Sequence, residues 1–169
     1  MDMYTWIEFL KNDDFLSVKK CIKDGGDVNE ANENGESVLA NALRHSCDMD
    51  LLLLLIDAGA DIYDFDEEGV SIFDNAVTYN HLDMVKYLVD DGIDLNATHR
   101  RSRFTPLMAA ACYGRVDVAK VLIENGADKN AVDFKGMSAT DFARKMNKKS
   151  ILKLLDYDEN APKNTTYAR

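Results

Sequence analysis

Asp24-Gly25-Gly26-Asp27-Val28-Asn29 returns as Ala58-Gly59-Ala60-Asp61-Ile62, again as Asp91-Gly92-Ile93-Asp94-Leu95-Asn96, and again as Asn125-Gly126-Ala127-Asp128-Lys129-Asn130. The leading glycines stand at 25, 59, 92 and 126, which gives steps of 34, 33 and 34. An apolar stretch with helical spacing precedes each copy, such as Met84-Val85-Lys86-Tyr87-Leu88-Val89 and Val118-Ala119-Lys120-Val121-Leu122-Ile123. Self-similarity at such a period is the mark of a repeat array, in which no unit buries its apolar face alone and stability comes from stacking.

A second register runs beside the first. Ser37, Ser71, Thr105 and Ser138 recur at steps of 34, 34 and 33, each followed by small or apolar residues. The fullest copy is Thr105-Pro106-Leu107-Met108-Ala109-Ala110-Ala111-Cys112-Tyr113-Gly114. A hydroxyl at the helix start can cap exposed N–H groups, Pro suits the first helical turn, and Gly after a helix supplies a left-handed cap.

The chain resembles the ankyrin repeat, whose period is about 33 residues and whose signature is T-P-L-H-x-A. Only the copy at Thr105 keeps Thr-Pro-Leu, with Met108 in place of the usual His; Ser37-Val38-Leu39, Ser71-Ile72-Phe73 and Ser138-Ala139-Thr140 are degenerate. The resemblance implies an all-α solenoid of helix–turn–helix repeats with hairpin or loop fingers. It sets one domain over 1–156, with repeats at about 1–30, 31–63, 64–97, 98–130 and 131–156, the first and last acting as caps. Residues 157–169 read as a flexible tail. Ala42, Ala76, Ala110 and Ala143 would let the inner helices approach closely, and Leu55, Leu88, Leu122 and Leu155 would form a ladder in the outer layer. Trp6, Phe9 and Leu10 would cover the first interface, and Asp13-Asp14 stands where the family has Gly-His. One extra residue falls within Ser46–Asp50 and another in the finger Thr98–Arg103, both turns, where insertion costs little.

Composition narrows the function. The 169 residues are 46 % apolar and 30 % charged, too apolar for general disorder. A formal charge of −10 argues against nucleic acid as a partner. No basic-then-apolar leader opens the chain, and the most apolar run, Leu51–Ile56, falls far short of the ~20 residues a membrane span needs. Cys21, Cys47 and Cys112 have no C-x-x-C spacing, so free thiols in the cytoplasm are expected. No nucleotide, hydrolase or metalloprotease motif occurs. His45, His81 and His99 lie in different repeats, which does not favour a metal site, and His81 occupies the family's structural turn position. Asp27, Asp61, Asp94 and Asp128 fall on one repeat-wide position and are expected to bond turn backbone rather than act in acid–base pairs. The expectation is therefore a non-enzyme with no cofactor and no metal, monomeric in isolation.

The resemblance also implies where a partner docks: the concave side, built from fingertips and the exposed ends of the inner helices. Those ends are Arg44-His45, Thr78-Tyr79, Cys112-Tyr113 and Lys145-Met146, so Tyr79 and Tyr113 share a register. The fingers divide by charge. Glu33 and Glu36 mark the first, and Asp64-Phe65-Asp66-Glu67-Glu68 forms the second. His99-Arg100-Arg101-Ser102-Arg103-Phe104 reverses the sign, and Phe134, Lys135 and Met137 follow on the fourth. Such a row would orient a partner. Arg101 and Arg103 have two alternatives, clamping a partner's carboxylates or pairing with the acidic finger beside them. The partner-binding set is thus Glu67, Glu68, Tyr79, Arg101, Arg103, Phe104, Tyr113, Phe134, Lys135 and Met137. The leading function is a protein-binding adaptor, or an inhibitor or immunity-type neutraliser of a cognate protein. The alternatives are a small-ligand carrier such as a haem-delivery accessory, with His45, Cys112 and Tyr113 as axial ligands, and a passive scaffold.

Overall fold

A computed structural model describes residues 2–156. Within them the chain forms ten helices in five antiparallel pairs: α1 (Met3–Leu10) and α2 (Phe15–Lys23), α3 (Val38–Arg44) and α4 (Met49–Asp57), α5 (Ile72–Thr78) and α6 (Leu82–Asp90), α7 (Pro106–Tyr113) and α8 (Val116–Glu124), α9 (Ala139–Lys145) and α10 (Lys149–Leu154). The odd-numbered helices pack in one continuous row and the even-numbered helices form a second row behind them. The solenoid is all-α: its fingers carry only isolated bridges, Ala31 to Ser37, Phe65 to Ser71 and Val132 to Ser138, and no extended strand among the described residues. The tail expected over 157–169 lies outside the described residues.

The repeated residues do the work their chemistry suits. Ser37, Ser71, Thr105 and Ser138 each accept a hydrogen bond from the backbone N–H three residues on, and Asp74 and Asp141 return the bond to the Ser71 and Ser138 N–H groups. Met108 gives the weaker version, its Sδ accepting from Thr105 N–H at 3.5 Å. The turn between paired helices needs a left-handed residue, and it is Asp13, Ser46, Asn80, Gly114 and Asn147 in turn. Only one of the five is glycine, because short polar side chains tolerate that conformation. Asp27, Asp61, Asp94 and Asp128 each accept from the backbone N–H two residues on at 2.9 Å, as turn-formers do.

Stacking fills the core. Ala42, Ala76, Ala110 and Ala143 are fully buried at the inner seams, and Leu55, Leu88, Leu122 and Leu155 line the outer layer. Trp6 and Leu10 close the first interface with no exposure, and Phe9 packs beside them half-buried. Gly26 makes room for the indole: a Cβ there would meet Cys21 Sγ at 2.7 Å and Trp6 Cζ2 at 3.0 Å. His81 is structural. Its Nδ1 accepts from Met84 N–H, and its Nε2 lies 3.0 Å from Cys47 O, so that nitrogen carries the proton and ties the third repeat to the second. Arg115 does the same one repeat later, its Nε and Nη2 donating to Thr78 O at 3.1 and 2.8 Å.

Asparagine stitches the hairpin bases. Asn29 donates to Gly59 O at 3.0 Å and accepts from Asp61 N–H at 2.9 Å, and Asn96 accepts from Asp128 N–H at 2.7 Å. Position 63, which shares this register, is tyrosine. The seam it should stitch is also where the neighbouring outer helices, α4 and α6, meet most sparsely.

Candidate interaction surface

The fingers sort the expected residues into those turned inward and those left free. In the first finger Glu36 pairs with Arg44, leaving Glu33 and Asn34 exposed. In the second, Asp66 accepts from Glu68 and Val70 N–H at 2.9 Å and so shapes the turn, while Glu67 and Glu68 stand in solvent. Asn32 and Asp133 shape the first and fourth fingers in the same way. The acidic run from Asp57 to Glu68 is thus partly framework.

The third finger departs from the others. Its extra residue removes the bridge that its three counterparts keep, and Thr98 replaces it, donating from Oγ1 to Phe104 O at 3.0 Å and accepting from Arg100 N–H at 3.2 Å. His99 stacks on Phe65 of the second finger, ring centroids 4.1 Å apart. The two backbones close up there: a Cβ on Gly69 would lie 2.2 Å from His99 O, and Gly69 itself sits at φ 79°.

Arg100 is a functional-looking residue with a structural task. It turns inward, lies over the Phe104 ring at 5.3 Å, and brings Nε to 3.6 Å from Oδ2 of Asp74. That separation is too long for a hydrogen bond, so the pair is held by charge alone. Asp74 is buried and its Oδ1 has no hydrogen-bond partner among the described residues. Burial pushes its carboxyl above the usual range, and Arg100 opposes that shift. Phe104 is half-buried, edge-on to Phe142 at 5.2 Å, so it belongs to the packing between the third finger and the last repeat.

What remains free is compact in sequence. Arg101 and Arg103 are exposed and, among the described residues, form no ion pair, either with the acidic finger or elsewhere. Phe134 N–H donates to Ser102 O at 2.8 Å, which joins the third and fourth fingers edge to edge. On the far side of that bond Phe134 is 76 % exposed and Lys135 is exposed, with Met137 half-buried. Tyr113 is 47 % exposed at the end of α7, and Tyr79 is half-buried at the end of α5, the helix packed against it.

Arg103 carries a feature that spacing alone contained. Gly35, Gly69 and Gly136 hold the same place in the other fingers, at φ 78°, 79° and 78°, and Arg103 holds it at φ 57°. A side chain in this region costs roughly 1–2 kcal/mol relative to the right-handed alternative. Such a cost at an exposed finger is a pointer to function.

The other candidate chemistry separates. His45 ends α3 while Cys112 and Tyr113 end α7, with α5 between them, so the three proposed axial ligands do not meet. Burial holds the His45 pKa below its usual value, with Lys11 and Arg44 adding to the effect. Among the described residues no three His, Cys, Asp or Glu side chains lie close enough to hold a metal ion, and no helix is long and apolar enough to cross a membrane. Burial pushes the Cys47 thiol up to about 12 and raises that of Cys21; Cys112 is half-buried. The thiolate is the reactive species, so a thiol reagent at neutral pH is expected to modify Cys112 first. Intact-mass analysis during titration would read one rapid adduct, with Cys21 and Cys47 reacting only on unfolding.

Among known families, ankyrin repeats (three copies) match residues 8–99, and a further ankyrin repeat matches residues 102–134. Residues 135–156, which hold α9 and α10, lie outside both matches. No curated protein matches the chain.

Proposed function

The chain belongs to the ankyrin-repeat family, whose repeats generally mediate protein–protein interaction, and from that premise we propose that it is a non-enzymatic binding module for one protein partner. The observation that carries this reading is the joined tip of the third and fourth fingers. Arg101, Arg103 and Lys135 supply cations that no internal acid neutralises among the described residues, and Phe134 supplies a large exposed apolar side chain beside them. The complementary surface is an acidic patch with an apolar centre. Arginine's fork grips carboxylates bidentately, and aromatic side chains and arginine dominate binding energy at interfaces. Glu67 and Glu68, on the adjoining second finger, would orient the partner by sign. Tyr79 and Tyr113 extend the surface onto the inner helices.

The partner is protein rather than nucleic acid, because the chain carries a net −10 and its basic tip is confined to two fingers. We place the chain in the cytoplasm as a monomer, its three cysteines suited to a reducing compartment. An adaptor leaves its partner active and an inhibitor does not, so the partner's activity in the complex distinguishes the two.

The test is affinity capture from source-cell extract with wild-type bait and with a Tyr79→Ala, Arg101→Glu, Tyr113→Ala variant of equal helicity. One protein enriched by wild type and lost with the variant supports the reading; a partner held equally by both refutes it.

Arg103 links the site to stability. Relieving its left-handed backbone by Arg103→Gly is expected to raise the unfolding free energy by up to about 1 kcal/mol while weakening partner capture. Urea melts read the first effect and the capture assay the second. A variant that is less stable, or that binds as well as wild type, contradicts the assignment.

A further inference from the structure

A cavity of about 200 Å³ lies between the hairpin bases of the second and third repeats, lined by Ile62, Tyr63, Phe73, Ile93, Asp94 and His99 among others. It falls at the seam where the asparagine stitch is missing. At the seam before it, Asn29 offers its carboxamide to Gly59 O and Asp61 N–H; at the seam after it, Asn96 takes Asp128 N–H. The equivalent backbone pair here is Gly92 O and Asp94 N–H, because position 63 is tyrosine. Among the described residues no side chain takes the amide's place at either group, and Gly92 and Asp94 both line the cavity. Tyr63 does not fill the gap. Its hydroxyl is tethered to Asp91 Oδ2 at 2.6 Å, which holds the ring at the rim, 54 % exposed.

We propose that this cavity binds a segment of a partner protein that presents an amide next to one bulky apolar side chain, flanked by Lys or Arg. The amide supplies the donor and acceptor that the missing asparagine would have supplied to Gly92 O and Asp94 N–H. The apolar side chain enters among Ile62, Phe73 and Ile93. The volume is below the ~300–1,000 Å³ that drug-sized ligands occupy, so it suits a single side chain. The rim sets the sign of the flanks. Asp94 lines the cavity, Asp61 accepts from Tyr63 N–H, Asp91 accepts from the Tyr63 hydroxyl, and no Lys or Arg lines it. This site prefers a basic segment, the opposite of the joined fingertips, and does not rest on them.

The test is amide NMR of the isotopically labelled full chain, titrated with the peptide acetyl-Lys-Lys-Asn-Phe-Lys-Lys-amide. Shifts centred on Tyr63, Ile93 and Asp94 are expected, with binding weakened about tenfold or more when Ala replaces Asn in the peptide. Tyr63→Asn should restore the stitch and abolish the shifts; Tyr63→Phe, which keeps the cavity and loses only the tether to Asp91, should retain them. The Tyr79→Ala, Tyr113→Ala variant should bind as wild type does, which separates this site from the finger surface. Absence of shifts, equal shifts from a peptide with Glu flanks, or unchanged binding by Tyr63→Asn when Tyr63→Phe is folded would overturn the proposal.

Discussion

Leu88→Ala is expected to lower the unfolding free energy by about 3 kcal/mol, within the 2–5 kcal/mol range of buried Leu truncations. Leu88 has no exposed surface and sits in α6, in the middle of the array. A linear array distributes its stability over neighbour interfaces. A cavity at a central interface therefore weakens the coupling of both halves, and the whole molecule bears the loss. The chemically identical change at Leu155 meets a different situation. Leu155 caps the six-residue α10 at the edge of the described array and is 8 % exposed. The terminal repeat can fray there without parting any other seam, so Leu155→Ala should cost under about half as much. Urea unfolding measures both. Equal losses would mean that the array unfolds as one globule rather than as coupled repeats.

Arg100→Ala should cost a comparable amount for an electrostatic reason. Removing one partner of a buried pair leaves the other charge uncompensated, typically a loss of about 3–5 kcal/mol; Arg100 is 18 % exposed, which places the expectation near the lower figure. The pH dependence identifies the mechanism. Asp74 already has its pKa raised by burial against the lowering effect of Arg100. An acid with a raised folded pKa contributes stability that is complete below its unfolded value of 3.8 and is lost as pH rises through the raised value. Without Arg100 the folded pKa climbs further. The variant's deficit should therefore be largest at neutral pH and shrink as pH falls toward 4, where Asp74 enters the fold uncharged. Adding Asp74→Asn to Arg100→Ala should recover part of the loss at neutral pH. A deficit that does not change with pH would show that Arg100 acts through its packing on Phe104 instead.

The repeat and its periods were legible in the sequence because they rest on local rules. Ser, Thr and Gly at fixed spacing fix caps, and apolar residues at helical spacing fix faces, so the buried Ala and Leu ladders followed directly. The turn aspartates and His81 were legible for the same reason. The finger chemistry was less so. Arg100, Arg101 and Arg103 look alike in sequence, yet one is drawn inward by Asp74 and two remain in solvent. What decides between them is a carboxylate 26 positions earlier in another repeat, which a local pattern cannot reveal. Phe104 looks in sequence like the edge of an interface, and it packs on Phe142 for the same reason. Two signals were present and are visible only against the register. Arg103 falls on the glycine line of positions 35, 69 and 136, and Tyr63 falls on the asparagine line of positions 29, 96 and 130. In a repeat protein such departures mark the places where the array gives up its own stability or stitching, and they are where binding is proposed.

The most direct test of the finger surface places a photo-crosslinking phenylalanine analogue at one position at a time and irradiates source-cell extract. Position 134 on the fourth fingertip and position 113 at the end of α7 are the two test sites. Position 120, exposed on the outer helix α8, is the control. The same protein joined to the chain from positions 134 and 113, and absent from position 120, is the predicted result. Adducts from position 120 with none from 134 or 113 would put the partner on the outer helices and contradict the account.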